Sequence, residues 1–472
     1  VVAIEKSLDR KLQALRANPD CGEFIIADAK DADMAFGIGS AGKSPELHAG
    51  ETRFRSIQEY RDIIREISRQ QLVDIMLMSA STSEELTLRE RIFDDSPVTP
   101  ACRANDASDV HVVRGGRYIV QTPRPFRTAT LDHIQCGKAD CEPGERALGA
   151  DLGLYSVTFT NNTDDDLYTL ERYKEFRLEA ERKGFRHFLE VFNPNLAGVV
   201  PSDQESGFIN DMIARSLAGV TEKGRPVFLK IVYNGPKAME ELVHYDRNII
   251  VGVLGGSSGT TLDAFKLLAE AKKYGGRAAL FGRKINQAEN QFAFIRFLRL
   301  IAEGVVSPEE AVKAYHAVLH KLGTKPTRSL EEDLTLQTSV MQYLSSKTSI
   351  VMPGNDTGYG GASGTGASSP WSPPANVIKT SSSPLTETRE IRPMVRVTMS
   401  HSLQPVPFGQ KPITNPTTSE TKKEGSCGSK GACHCGCKKK SGGAPDFAQM
   451  TSAERLAYHQ KRIALLLGDK ID

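Results

Sequence analysis

Several features are missing from this sequence, and each absence narrows the field. Its longest apolar runs, such as Ile249–Leu254, are strand length and far short of the ~18 residues a membrane span needs. The opening residues carry charges every few positions and hold no signal-peptide core. Charge of neither sign is in excess, with 60 Lys and Arg against 58 Asp and Glu, so nothing asks for nucleic acid or for a strongly cationic partner. No G-x-G-x-x-G follows the first apolar run, which disfavours an open dinucleotide-binding sheet. Of eight cysteines, four are scattered and four are packed into one tail segment. That distribution suits a reducing compartment rather than a disulfide scaffold. Together these absences predict a cytoplasmic protein with neither membrane nor nucleic acid among its partners.

What is present is a rhythm. Ile4, Leu8, Leu12 and Leu15 recur at helical spacing, predicting a helix within residues 1–20 that stops before Asn18-Pro19. Apolar runs then alternate with helical stretches over about 300 residues. The runs are Phe24–Asp28, Val73–Ser79, Val98–Ala104, Leu154–Thr160, His187–Phe192, Val227–Gly235, Ile249–Leu254 and Ala278–Phe281. Alternation of this kind argues for a parallel sheet wrapped by helices, and eight units close naturally into a barrel. The expected fold is therefore α/β, a (βα)8 TIM barrel over residues 21–325, with its active site where the strands end.

Residues 107 to about 145 break the rhythm with Gly115-Gly116, prolines at 123 and 125, and a likeness to a hairpin arm at Tyr118–Gln121. They read as an insertion after the third strand, in which His133, Cys136 and Cys141 form a structural cluster. Beyond the barrel an extra helix is expected over Leu330–Leu344, within residues 326–345. Residues 346–446 are rich in Gly, Ser, Thr and Pro and read as a disordered linker. Inside it Cys427, Cys433, His434, Cys435 and Cys437 lie close enough to take a soft metal; a plain basic linker is the other reading. Residues 447–472 form an amphipathic helix that either docks to a larger assembly or folds back on the barrel.

The chemistry points to the strand ends. Lys230 sits inside the apolar run V-F-L-K-I-V-Y-N-G. A buried amine is a nucleophile for carbonyl groups once it is neutral, and burial together with cations such as Lys237 would favour that. Otherwise it snorkels to solvent or pairs with an acid. Asp28 and Glu190 also fall late in their strands, where carboxylates can move protons. The alternatives are a salt bridge to Lys30 for Asp28, and for Glu190 a surface acid or a structural partner of a lysine. G-G-S-S-G at 255–259 lies between a strand and a helix start, and Gly282-Arg283 follows the last strand. These two turns make Gly255, Gly256, Ser257, Gly282 and Arg283 a candidate phosphate site.

Here a family resemblance enters. K-I-V-Y-N-G at 230–235 resembles the sixth-strand signature of the class I, Schiff-base aldolases, the group that includes the deoxyribose-phosphate, archaeal-type fructose-bisphosphate and tagatose-bisphosphate enzymes. V-L-G-G-S-S-G is similar to that family's seventh-strand phosphate loop, and A-L-F-G-R-K-I-N-Q to its eighth-strand segment. H-F-L-E-V at 187–191 is similar to the L-E-V strand of the tagatose-bisphosphate branch, and A-D-A-K at 27–30 lies where the family has its first-strand Asp. The resemblance implies a (βα)8 barrel in which Lys230 forms an imine with a phosphorylated ketose and Glu190 or Asp28 takes the substrate hydroxyl proton. It implies no metal and no cofactor, and a homo-oligomer is expected. Two positions depart from the pattern: Thr158 stands where archaeal-type enzymes carry a catalytic Tyr, and Lys284 replaces the usual Asn. A barrel that binds phosphosugars without aldolase chemistry, or a metal-binding scaffold acting through the cysteine tail, are the alternative functions.

Overall fold

Helices on every side of a parallel sheet require strands that are apolar on both faces, and the strands here are buried along almost their whole length. The computed structural model describes residues 4–31, 33–34, 37–42, 54–109, 113–256, 259–338 and 340. Its eight barrel strands are β1 (Ile25–Lys30), β2 (Ile75–Met78), β3 (Thr99–Arg103), β4 (Leu152–Thr158), β5 (Arg186–Phe192), β6 (Leu229–Ile231), β7 (Val251–Leu254) and β8 (Ala278–Phe281). All pair in parallel, and β8 closes onto β1. The (βα)8 barrel expected from the alternation is the fold.

Alternation along each strand sorts the side chains. Ala27, Ala29, Leu77, Ala101, Leu154 and Leu280 belong to the interior cluster, whereas Ile26, Met78, Val157, Leu189, Leu229 and Ile231 pack outward against the helices. The helix Ser7–Ala17 plugs the N-terminal end: its Leu8, Leu12 and Leu15 join the interior cluster. Lys11, on the same helix, bonds the Asp74 carboxylate at 2.9 Å and the Phe24 carbonyl at 2.8 Å. The opposite end is left to chemistry.

Helix starts follow their sequence signals. Ser56 and Glu59 form a complete capping box for Ile57–Gln70, and Ser307 and Glu310 do the same for Pro308–Lys321. Among the described residues no helix is long and apolar enough to cross a membrane.

Three local expectations are corrected. The hairpin of the insertion pairs Asp106–Ala107 with Pro125–Phe126, while Tyr118–Val120 is a single 3-10 turn. Proline supplies no N–H to a ladder, which keeps that hairpin to two residues a side. Cys136 and Cys141 are joined in a disulfide, a link that their scatter in the sequence did not announce. After β8 the chain forms two helices, Arg283–Asn286 and Gln291–Ala302, the second capped by the Asn290 side chain, which accepts from the Ala293 N–H. The helix beginning at Leu330 ends at Asp333. Beyond it the Gln337 and Thr338 N–H groups donate to the Asp263 carboxylate rather than to helical carbonyls. The linker, the cysteine cluster at 427–437 and the terminal helix lie outside the described residues.

Candidate active site

Three adjacent strands carry polar side chains into the C-terminal mouth in one row. Ser156 on β4 is in register with Glu190 on β5, and Glu190 with Lys230 on β6. Each is flanked by outward-facing apolar neighbours (Tyr155 and Val157, Leu189 and Val191, Leu229 and Ile231), so alternation turns the polar residue inward. Lys230 Nζ lies 2.6 Å from Glu190 Oε1, with Lys230 6 % and Glu190 1 % exposed. Ser156 Oγ donates to Glu190 Oε2 at 2.7 Å. Next in register is Gly252 on β7, where a Cβ would come within 2.7 Å of the Ala278 Cβ. Ala278 and the Leu229 carbonyl already occupy the place of that Cβ, so only glycine fits in this register position. At 2.6 Å a proton passes directly between amine and carboxylate, the relation that a nucleophile and its base require.

Arg103, at the end of β3, organises the other side of Glu190. Its Nε donates to Asp31 Oδ2 at 2.6 Å and its Nη1 to Ser156 Oγ at 3.2 Å and Asp106 Oδ1 at 3.4 Å. Its Nη2 is 3.8 Å from Glu190 Oε2. Two cations and three carboxylates thus share one buried site, and such groups are tolerated together because each is paired. Past Arg103 the Asn105 side chain imitates a strand neighbour. It accepts from the Ser156 N–H at 2.6 Å and donates to the Ser156 carbonyl at 2.9 Å. The insertion that follows β3 is thereby tied at its start to the rim of β4. Its Ala107 packs with Phe192, Val232 and Leu254, which lie two residues beyond Glu190, Lys230 and Gly252. An apolar layer covers the amine. At its edge Thr158 Oγ1 donates to Asp109 Oδ2 at 2.7 Å, and both residues are buried.

Asp28 does not join Lys230 and Glu190. It shares the outward face of β1 with Ile26, at 3.0 Å from Lys30, whose amine also bonds Asn286 Oδ1 at 2.6 Å and Gln291 Oε1 at 2.9 Å. Burial pushes the Asp28 carboxyl up and the Lys30 amine down, and each opposes the other's shift. One residue of parity decides this: the first-strand carboxylate that does face the mouth is Asp31, three residues on. Lys237 is exposed on the helix Pro236–Tyr245. The charged partner of Lys230 is instead the Glu190 carboxylate.

The two glycine turns meet at the mouth. At Gly255 a Cβ would lie 2.1 Å from the Phe281 ring, so only glycine fits, and Gly256 holds φ at +59°. Ser257 lies outside the described residues. The donors at the start of the helix Thr261–Lys273 already serve carboxylates and hydroxyls. The Thr261 N–H donates to Asp333 Oδ1 at 2.7 Å, and Thr260 and Asp263 cap each other. The free helix end read into this turn is thus filled from within the chain. Gly282 precedes Arg283 at the end of β8, and Lys284 Nζ donates to the Gly259 carbonyl at 2.7 Å, tying the second turn to the first. Burial, helped by Arg328, brings the Lys284 amine down to about 8. Among the described residues no set of His, Cys, Asp and Glu side chains is grouped to hold a metal.

Sequence reasoning found Lys230 and Glu190 but passed over Arg103, Asp31, Ser156 and Asp109. Nothing local marks Asp109, since its place depends on how the insertion folds back.

No protein-family model and no curated protein matches the sequence. Among solved structures, an archaeal fructose 1,6-bisphosphate aldolase is similar at 16% identity with a TM-score of 0.45, covering 62% of this chain and 99% of that one. A further structure of an archaeal fructose-1,6-bisphosphate aldolase, with its catalytic Lys covalently bound to the carbinolamine intermediate, gives 16% identity, a TM-score of 0.45, and 62% and 100% coverage. N-acetylneuraminate lyase from Fusobacterium nucleatum gives 14% identity, a TM-score of 0.31, and 64% and 82% coverage. The functional reading is carried by the residues in the barrel mouth, not by these likenesses.

Proposed function

We propose that this protein is a class I, Schiff-base aldolase that cleaves or forms a C–C bond in a phosphorylated ketose, with Lys230 as the amine nucleophile. The single observation that supports it is the buried Lys230 amine held 2.6 Å from the Glu190 carboxylate, at the C-terminal mouth of the barrel.

The steps follow from the pair. Glu190 takes a proton from the ammonium, and the neutral Lys230 nitrogen adds to the substrate ketone, forming a C–N bond and a carbinolamine. Glu190 returns the proton to the carbinolamine hydroxyl, water leaves, and a protonated imine remains. Glu190, a carboxylate once more, takes the proton of the hydroxyl two carbons away, and the C–C bond beside that hydroxyl-bearing carbon breaks. An aldehyde departs, and the bonding electrons flow into the imine to give an enamine. Arg103 and Ser156 hold the Glu190 carboxylate in place while its charge changes. The substrate phosphate is held by the backbone around Gly255, Gly256 and Ser257 with Gly282 and Arg283, and its binding energy fixes the sugar's orientation. With the helix end filled by Asp333 and Asp263, the cations of the second turn carry more of that task.

The test is cleavage of a panel of ketose phosphates, fructose 1,6-bisphosphate included, followed by mass spectrometry of the released aldehydes. Cleavage that survives a chelator and disappears in Lys230→Met is expected. Cleavage that persists in Lys230→Met would overturn the assignment.

A further inference from the structure

We infer that Phe192, Val232 and Leu254 are specificity-determining residues: they select a ketose phosphate whose far half, the part released as an aldehyde, is aliphatic rather than hydroxylated. The inference rests on the aldolase reading and names the substrate class for that site. It starts from strand parity. Phe192, Val232 and Leu254 each stand two residues beyond a member of the row Glu190, Lys230 and Gly252, so they face the barrel interior with it. The residues between, Val191, Ile231 and Val253, belong to the outer cluster. Phe192, Val232 and Leu254 pack together with Ala107 from the insertion, and all four are buried. Two residues of strand put this layer ~6.6 Å nearer the mouth than the reactive row.

In the aldolase reading two points of a bound ketose are fixed. Its carbonyl carbon is joined to the Lys230 nitrogen, and its phosphate lies at the turns after β7 and β8. In the strand order those turns stand on one side of β6, with β5 and β4 on the other. The aldehyde half therefore runs toward β5 and β4, against Phe192 and Val232, while Leu254 flanks the carbonyl end. None of these side chains can donate or accept a hydrogen bond. Thr158, in register with Phe192 on β4, already gives its hydroxyl proton to Asp109 Oδ2 at 2.7 Å. A sugar hydroxyl turned against this layer gives up water and finds no partner in these side chains, whereas a methyl or methylene gains by the same burial. In the direction of synthesis Glu190 takes a proton from the carbon beside the imine, and the enamine carbon adds to the aldehyde carbon. The aldehyde oxygen takes that proton, and water hydrolyses the imine. The layer touches the aldehyde's substituent and none of the atoms that react.

The experiment runs that synthesis with the full chain and dihydroxyacetone phosphate as donor. The two acceptors are propanal and glycolaldehyde, which match in size and differ by a methyl in place of a hydroxyl. Because kcat/KM is measured for both, their ratio cancels any change common to the pair. The native protein is expected to favour propanal about tenfold or more. In Val232→Thr, which keeps the side chain's shape and adds a hydroxyl, that ratio is expected to fall about tenfold. If Val232→Thr does not fold, Phe192→Tyr makes the same comparison with the same expected fall. A native preference below about threefold would overturn the inference, as would a ratio that stays within about twofold of native in a folded variant. Borohydride trapping of dihydroxyacetone phosphate at Lys230 is read alongside. Trapping without product from either aldehyde would overturn the inference and leave the imine chemistry standing. A native protein that does not trap would overturn the aldolase reading itself, and this inference with it.

Discussion

Two buried lysine–carboxylate pairs, one on β1 and one across β5 and β6, are given opposite fates by strand parity. Lys230 and Glu190 face the mouth; Lys30 and Asp28 face the helix layer, where Asn286 and Gln291 complete the lysine's bonds. In either pair, removing the carboxylate leaves a buried ammonium uncompensated, which costs ~3–5 kcal/mol. Only one loss touches the chemistry. Glu190→Gln is expected to lower turnover of a ketose phosphate ~10²–10⁴-fold. Asp28→Asn should lower the denaturant midpoint while kcat per folded molecule stays within about threefold of native. Equal losses of activity in the two variants would contradict the placement of the site. The sequence marks both lysines and both acids, since a charge inside an apolar run is conspicuous in any strand. It marks the inward pair less plainly, because a parallel strand buried on both faces has no polar side to set the parity. Asp28 was read as facing the mouth for that reason, and Arg103 and Ser156 were passed over.

At the scale of elements, strand positions were legible because Gly, Pro and Asn-Gly turns bracket short β-branched runs, and Ala278–Phe281 is found with the bounds expected for it. Helix starts were legible where a capping box stands at Ser56 or Ser307. The insertion was not, because its folding is governed by long-range bonds: Asn105 to the Ser156 backbone and Asp109 to Thr158. The layer between β5 and the helix Thr163–Arg182 offers a test by pH. His187 is buried with Nε2 2.9 Å from the Tyr173 hydroxyl, and burial, with Arg177 adding to it, lowers its pKa to about 3. The unfolded chain therefore binds the proton that the folded state refuses. Stability from this residue is full above the unfolded pKa of ~6.5 and is lost as pH falls from there toward about 3, at ~1.4 kcal/mol per pH unit. Between pH 7 and pH 5 the native protein is expected to lose about 2 kcal/mol more than His187→Gln in denaturant titrations. An equal loss in both would show that His187 is not kept neutral by the fold.

The described residues form a barrel closed at one end by a helix and lined at the other by a polar row under an apolar layer. The Ser7–Ala17 helix and the Asp74 bonds fix the closed end. The insertion and the turn at Gly255 and Gly256 shape the open one. Everything in the functional account depends on whether the Lys230 nitrogen forms a covalent bond to a ketone. The decisive measurement is peptide mass spectrometry after sodium borohydride reduction with dihydroxyacetone phosphate, on the native protein and on Lys230→Ala. The account predicts a reduced adduct mapped to Lys230 in the native protein and none in the variant. An adduct absent from the native protein, or attached to another lysine and kept in the variant, would contradict it.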